Sequence, residues 1–267
     1  MSTAAYSLID MNNSIGIVIP ARLDSIRLPR KLMYEFNKLP MLEHVRRRAL
    51  MNSHGIEVVV VSGDKEILEL INAHGGKAIQ TKGNHMNGLS RIGEVADQLG
   101  WDKFIVLQGD EILVLPRHLD EMIEATSNSI NFTALNSICK LSSVDELADP
   151  SVVKCLLNQV GDIITLFRGQ PLISPIDIQL KLVMKICGLF SISLTTLKQI
   201  IEAESTPLES SESMEQMKLI ELQIRLATVI LDASFPSINL SKDVELVNYI
   251  LANSAEQQNL LNDVLNF

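Results

Sequence analysis

"IEVVVVSGDKEILELINAHGG", residues 56–76, decides the fold class. Residues 56–62 form an apolar run dominated by β-branched residues, with no alternation. Such a run fits a strand covered on both faces. Asp64 then stands where a helix N-cap is expected, and Gly75-Gly76 closes the segment as a helix stop. A buried strand leading into a helix is half of a βαβ unit. The same grammar recurs on both sides. "IGIVI" (15–19) reads as the first buried strand, and "MLEHVRRRALM" (41–51) places Leu42, Val45 and Leu50 at helical spacing. "KAIQT" (77–81) is a short strand, "NGLSRIGEVADQLG" (87–100) a helix ended by Gly100, and "KFIVLQ" (103–108) the next strand. The alternation predicts an α/β, Rossmann-like fold with a mostly parallel sheet covered by helices on both faces.

After Leu115 the pattern is mixed. "FTALNSICKL" (132–141), "SVVKCLL" (151–157) and "GDIITLF" (161–167) read as strands. "TPLESSESMEQMKLIELQIRL" (206–226) reads as one helix with a carboxylate-rich start, "RLATVILDA" (225–233) ends in a strand, and the segments from 241 onward are helical. Residues 1–13 are polar and expected to be flexible. Residues 14–267 are expected to form a single domain, with a dimerisation excursion around 170–200.

Of 267 residues, 46% are hydrophobic, and the mean hydropathy is +0.19, so a sizeable core can form. No run approaches the roughly 18–20 apolar residues of a membrane span, and no membrane insertion is expected. The start has neither the basic nor the apolar segment of a secretory leader, which points to the cytoplasm. The formal charge of −9 argues against a nucleic-acid partner. Cys139, Cys155 and Cys187 form no CxxC pair and no zinc spacing. They read as small buried hydrophobes in a reducing compartment.

In an open α/β sheet the site lies at the carboxyl ends of the strands. After the first strand comes "PARLDSIRLPRK" (20–31), carrying Arg22, Arg27, Arg30 and Lys31, with Pro20 and Pro29 to stiffen it. A stiff basic loop there can cradle a polyphosphate; the alternative is a solvated surface loop. The better-known phosphate loops, GxxxxGK[ST] and GxGxxG after a strand, are missing, and "HGGK" (74–77) precedes a strand. After "FIVL" (104–107) come Gln108, Gly109, Asp110 and Glu111. Buried carboxylates need a partner. Mg²⁺, a hard cation that bridges to phosphates, is a natural one; a strand-end turn with capping acids is the other reading.

"IPARLDSIRLPRK" (19–31), "LQGDE" (107–111), "DPSVVK" (149–154) and "TPLESSESMEQMK" (206–218) occur in an order and spacing similar to that of the 3-deoxy-manno-octulosonate cytidylyltransferases. Their patterns run close to IPAR-x-x-S-x-R-[LF]-P-x-K, VQGDEP, NP-x-x-VK and SPLE-x-x-E-x-LEQLR. The resemblance spans about residues 15–250. It implies attack by the anomeric hydroxyl of an ulosonic acid on the α-phosphate of CTP, with Mg²⁺ as cofactor and a homodimer as the assembly. By position, Arg22, Lys31 and Asp110 would be catalytic. Ala21, Arg22, Arg27 and Lys31 would hold the nucleotide, with Asn87, Gly88 and Arg91 nearby. Gln108 and Arg168 would meet the sugar acid. Glu209, Glu212 and Gln216, at i, i+3 and i+7 of one helix face, would line its pocket; without the resemblance such a stripe reads as solvated surface.

The departures matter as well. Asn239 stands where the resemblance implies a second metal-binding Asp beside Asp110. Ile186 and Phe190 replace a His and a Tyr on the sugar side, Leu89 replaces a Thr, and Ile112 a Pro. An altered sugar acid, or a catalytically weakened nucleotide-binding relative, would explain them. A structural or interaction protein built on the acidic C-terminal helices is the third reading.

Overall fold

The computed structural model describes residues 14–25, 27–169, 172 and 174–267. The expected flexible N-terminus and Ile26 of the basic loop therefore lie outside the described residues.

The first half is the βαβ alternation that the sequence predicts. Strand β1 (Ile15–Ala21) leads through the basic loop and a single 3₁₀ turn (Lys31–Met33) to a small hairpin, β2 (Glu35–Phe36) and β3 (Leu39–Pro40). Helix α1 (Met41–Leu50), strand β4 (Val58–Ser62), helix α2 (Lys65–Ala73), strand β5 (Lys77–Gln80), helix α3 (Gly88–Leu99) and strand β6 (Lys103–Leu107) follow. Helix α4 (Pro116–Asn128) comes next, in a stretch where the sequence shows no clear element. It is then followed by β7 (Ala134–Lys140), α5 (Val144–Ala148), β8 (Lys154–Leu157), β9 (Ile163–Phe167), α6 (Ile176–Leu182), β10 (Met184–Ser193) and α7 (Leu194–Glu202). The chain ends with α8 (Pro207–Glu212), α9 (Glu215–Glu221), β11 (Leu226–Ile230), α10 (Ser241–Asn253) and α11 (Ala255–Leu265).

Apart from the β2–β3 hairpin, the strands join into one sheet with core order β11-β7-β10-β6-β1-β4-β5. β6, β1, β4 and β5 run parallel, as do β11 and β7, while β10 runs antiparallel between β6 and β7. Buried residues on the two faces of the sheet form two apolar clusters, one with α1, α4 and α10, the other with α3, α7 and α9. Both faces are therefore covered, as continuous apolar strands require.

Within residues 170–200, β10 is a central strand and α7 packs on the sheet beside α3. On α6, Ile176, Ile178 and Leu182 are exposed. One expectation is corrected here. The helix read over 206–226 is two helices. The chain breaks at Ser213, whose φ is +53°, so α8 and α9 point differently.

Helix α3 is pinned through the loop before it. Glu94 accepts from the backbone amides of Lys82 (2.7 Å) and Gly83 (2.9 Å) and contacts His85 Nε2 at 2.6 Å. Those amides hold its carboxyl down to about 2. A depressed carboxyl contributes stability that is complete above its unfolded value, near 4.5, and is lost as pH falls through about 2. Glu94→Gln is expected to cost about 1–2 kcal/mol at pH 7. Urea unfolding at pH 7 and pH 2.5 checks this: the deficit should shrink on acidification.

Candidate active site

Strands β4 and β5 wind to one side of β1 and β6 to the other. The neighbouring carboxyl ends of β1 and β6 are thus the switch point of the parallel half, where a crevice opens. The basic loop leaves one of these ends and Gln108–Glu111 leaves the other. A cavity of about 720 Å³ opens there, with Arg22, Arg27, Gln108, Asp110, Glu111 and Asn239 in its wall.

The two loops meet. Lys31 Nζ lies 2.5 Å from Asp110 Oδ2 and donates to the Ile238 carbonyl at 3.0 Å, with both charged side chains mostly buried. One guanidinium nitrogen of Arg27 donates to Asn239 Oδ1 at 2.8 Å. Arg22 stays half exposed, 3.5 Å from Asp24. Arg30 turns away and pairs with Glu66. The loop is tied back by Asp64: instead of capping α2, its carboxylate accepts from the Leu23 amide at 2.9 Å. Ala21, the last residue of β1, is buried.

Behind Asp110, the Ser237 hydroxyl donates to Glu111 at 2.6 Å. Burial, with the neighbouring Asp110 charge, pushes the Glu111 carboxyl up to about 7. β10 passes so closely that a Cβ at Gly188 would lie 2.2 Å from a Glu111 oxygen, so any larger residue there would displace the Glu111 carboxylate.

The far side of the cavity is formed by Arg168, Lys185, Ile186, Cys187 and Gln216. Arg168 donates to the carbonyls of Pro150 (3.2 Å) and Glu212 (3.4 Å). Lys185 pairs with Glu146 at 2.6 Å. Gln216 Nε2 donates to Asn136 Oδ1 at 3.2 Å. Lys154 is fully buried and donates to the carbonyls of Asp149 (2.8 Å) and Arg168, so it props the loop that carries Arg168.

Four readings change. The helix break at Ser213 destroys the single face that was to carry Glu209, Glu212 and Gln216. Glu209 accepts from the Thr206 amide (3.3 Å) and lies 3.9 Å from Lys218. Only Gln216 of the three lines the cavity. Phe190 packs in the core among Val18, Val106 and Ile192, so its missing hydroxyl removes nothing from the cavity wall, whereas Ile186 does stand there. Cys187 also lines the cavity, unlike the buried Cys139 and Cys155. Asn87, Gly88 and Arg91 lie behind the wall: Asn87 caps α3, Gly88 donates to Glu215, and buried Arg91 donates to Thr81 Oγ1 at 2.7 Å.

Residues 16–226 match the family described as Cytidylyltransferase. The 3-deoxy-manno-octulosonate cytidylyltransferase of Chlorobium limicola is 31% identical over 246 residues, covering 90% of this chain and 98% of that protein. The chain belongs to the 3-deoxy-manno-octulosonate cytidylyltransferase family. The Escherichia coli relative of the same name is 30% identical over 88% of this chain and 95% of its own length. The solved CMP:2-keto-3-deoxy-manno-octonic acid synthetase, complexed with CTP, superposes with a TM-score of 0.82 at 29% identity, over 90% of this chain and 98% of that one. The expected family and Rossmann-like fold are thus borne out, and the chain is a cytidylyltransferase. Motif order placed Arg22, Arg27, Gln108, Asp110 and Asn239 together, and the structure puts them on one cavity wall. It passed over Lys185 and Glu215, whose partners are distant in sequence.

The donor set decides how a metal fits. Among the described residues no group of three His, Cys, Asp or Glu side chains could cage an ion. Asp110 and the Asn239 amide oxygen, both now facing cations, offer one charged and one neutral donor. Mg²⁺ is commonly held by one or two carboxylates plus substrate phosphates and water, so this pair suits an ion that arrives with a triphosphate.

Proposed function

We propose that this cytidylyltransferase transfers CMP from CTP to the anomeric hydroxyl of 3-deoxy-manno-octulosonate or a close ulosonic acid, releasing pyrophosphate. The carrying observation is the Lys31–Asp110 pair where the basic loop meets the β6 end, beside a cavity lined by Arg22, Arg27, Gln108 and Asp110. CTP would lie with its phosphates along Arg22, Arg27 and Lys31. Asp110, with Asn239, would hold Mg²⁺. Bound there, the ion supplies charge neutralisation at the phosphates and at the attacking oxygen. On CTP binding Lys31 would exchange Asp110 for phosphate oxygens, and Arg27 would leave Asn239 likewise. Arg168 would receive the sugar carboxylate, and Gln108 and Gln216 its hydroxyls. Positioning and charge neutralisation then supply most of the rate. We place the enzyme in the cytoplasm, as a homodimer; the exposed apolar side chains of α6 are compatible with burial against a second subunit.

A relative that binds nucleotide without turnover is less well supported: the relatives described above are named as cytidylyltransferases, and Lys31 touches Asp110 on the cavity wall. A pyrophosphate-release assay with CTP, Mg²⁺ and a panel of ulosonic acids separates the two. Turnover with 3-deoxy-manno-octulosonate or one congener is the expected result. CTP binding without turnover on any of them would favour the other.

Asn239 contributes an oxygen without a charge. Asn239→Asp is therefore expected to lower the Mg²⁺ concentration for half-maximal rate several-fold, about 1 kcal/mol of added attraction. A Mg²⁺ titration at fixed CTP measures this, and an unchanged curve would remove Asn239 from the metal site.

A further inference from the structure

Glu215 opens α9, immediately before Gln216, yet its carboxylate points to a different element. Its two oxygens accept from consecutive amides at the start of α3: Gly88 N at 2.9 Å and Leu89 N at 3.1 Å. Asn87 Oδ1 takes the next amide, Ser90 N, at 2.9 Å, and the Arg91 amide reaches the Asn87 carbonyl. The free donors of the first turn are thus all filled by protein groups. A helix start can bind a phosphate through these amides; here a carboxylate from across the cleft already occupies them. The fit is close: a Cβ at Gly88 would lie 3.1 Å from Pro20, the residue before the basic loop begins its turn, and 3.7 Å from Glu215 Oε1.

This one carboxylate therefore joins two parts of the site. It sits on the wall of the cavity, beside Gln216 on the acceptor side. It fixes the turn that carries Asn87, Gly88 and Arg91. Burial pushes its carboxyl up, while the two amides and the positive charge of Arg22 favour the ionised form.

We propose that Glu215 is a positioning residue for the nucleotide: it clamps the start of α3 against the β1 end, so that the nucleotide and acceptor subsites keep one fixed spacing. This deepens, and rests on, the reading of the cavity as a CTP site. Removing the carboxylate frees two part-buried amides, while Gln216 and Arg168 keep their own partners on the acceptor side.

The test compares wild type, Glu215→Ala and Glu215→Gln by steady-state kinetics, CTP calorimetry and amide hydrogen exchange over residues 87–91. For Glu215→Ala the KM and Kd for CTP should rise about tenfold, the equivalent of one charge-assisted hydrogen bond. The kcat at saturating CTP and the KM of the sugar acid should change little. Formate, a free carboxylate small enough for the vacated place, should restore CTP affinity to Glu215→Ala in a saturable way and leave wild type unaffected. Glu215→Gln, keeping one acceptor, should fall between. Faster exchange at Gly88 and Leu89 with unchanged CTP affinity would reduce Glu215 to a helix cap and overturn the proposal. So would a loss that formate does not relieve and that affects both substrates equally. Failure of the wild type to bind CTP would instead overturn the function itself, and the positioning role with it; the exchange data would still show whether the clamp exists.

Discussion

Asp110→Asn is expected to lower kcat about a thousandfold, the scale seen when one charge-stabilising group is removed from a preorganised site. The substitution keeps the shape and one acceptor oxygen but removes the only carboxylate of the Asp110–Asn239 donor pair. Lys31 would retain its bond to the Ile238 carbonyl, so the fold should survive, with thermal unfolding close to that of wild type. CTP should still raise the melting temperature in the absence of Mg²⁺, because the cationic loop is intact. The further rise that Mg²⁺ adds in wild type should disappear. Retained turnover would mean that the reaction does not pass through Asp110.

The largest expected effect on stability lies away from the cavity. Glu43 on α1 is fully buried and accepts three bonds of 2.7 Å, two from Arg46 and one from Arg47. The same arginines donate to the His74 carbonyl at the end of α2 and to the Val264 carbonyl on α11. Glu43→Ala leaves two largely buried guanidinium groups without their anion and opens a void. A loss of about 3–5 kcal/mol is expected, read from urea unfolding. Glu43→Leu combined with Arg46→Leu should recover much of it, since an apolar pair of similar volume costs far less than a broken ionic one. No recovery would show that the arginine contacts to His74 and Val264 carry the stability instead.

The legible part of the fold was the part written in local pattern. β1, β4 and β6 are β-branched or apolar runs, and α2 and α3 end on glycine stops. α4 was harder: Leu119, Met122 and Ile123 have helical spacing, yet Pro116 follows the apolar run Ile112–Leu115, which has the look of a continuing strand. The central antiparallel β10 was not legible, because its partners β6 and β7 are far away in sequence. The break between α8 and α9 turns on a left-handed serine, and a non-glycine residue gives no sign of that conformation. At the site, motif order identified Lys31 and Asp110, which proved to touch. Counting i, i+3 and i+7 passed over Glu215, whose partner amides lie 126 and 127 residues away.

A structure of the Asp110→Asn variant with CTP and Mg²⁺ tests the central claim most directly, because the nucleotide should bind without being consumed. The triphosphate is expected along Arg22, Arg27 and Lys31, with Lys31 Nζ moved from residue 110 onto a phosphate oxygen and Gln108 left clear for the sugar acid. Phosphates bound elsewhere, with Lys31 still seated between residue 110 and Ile238, would contradict it.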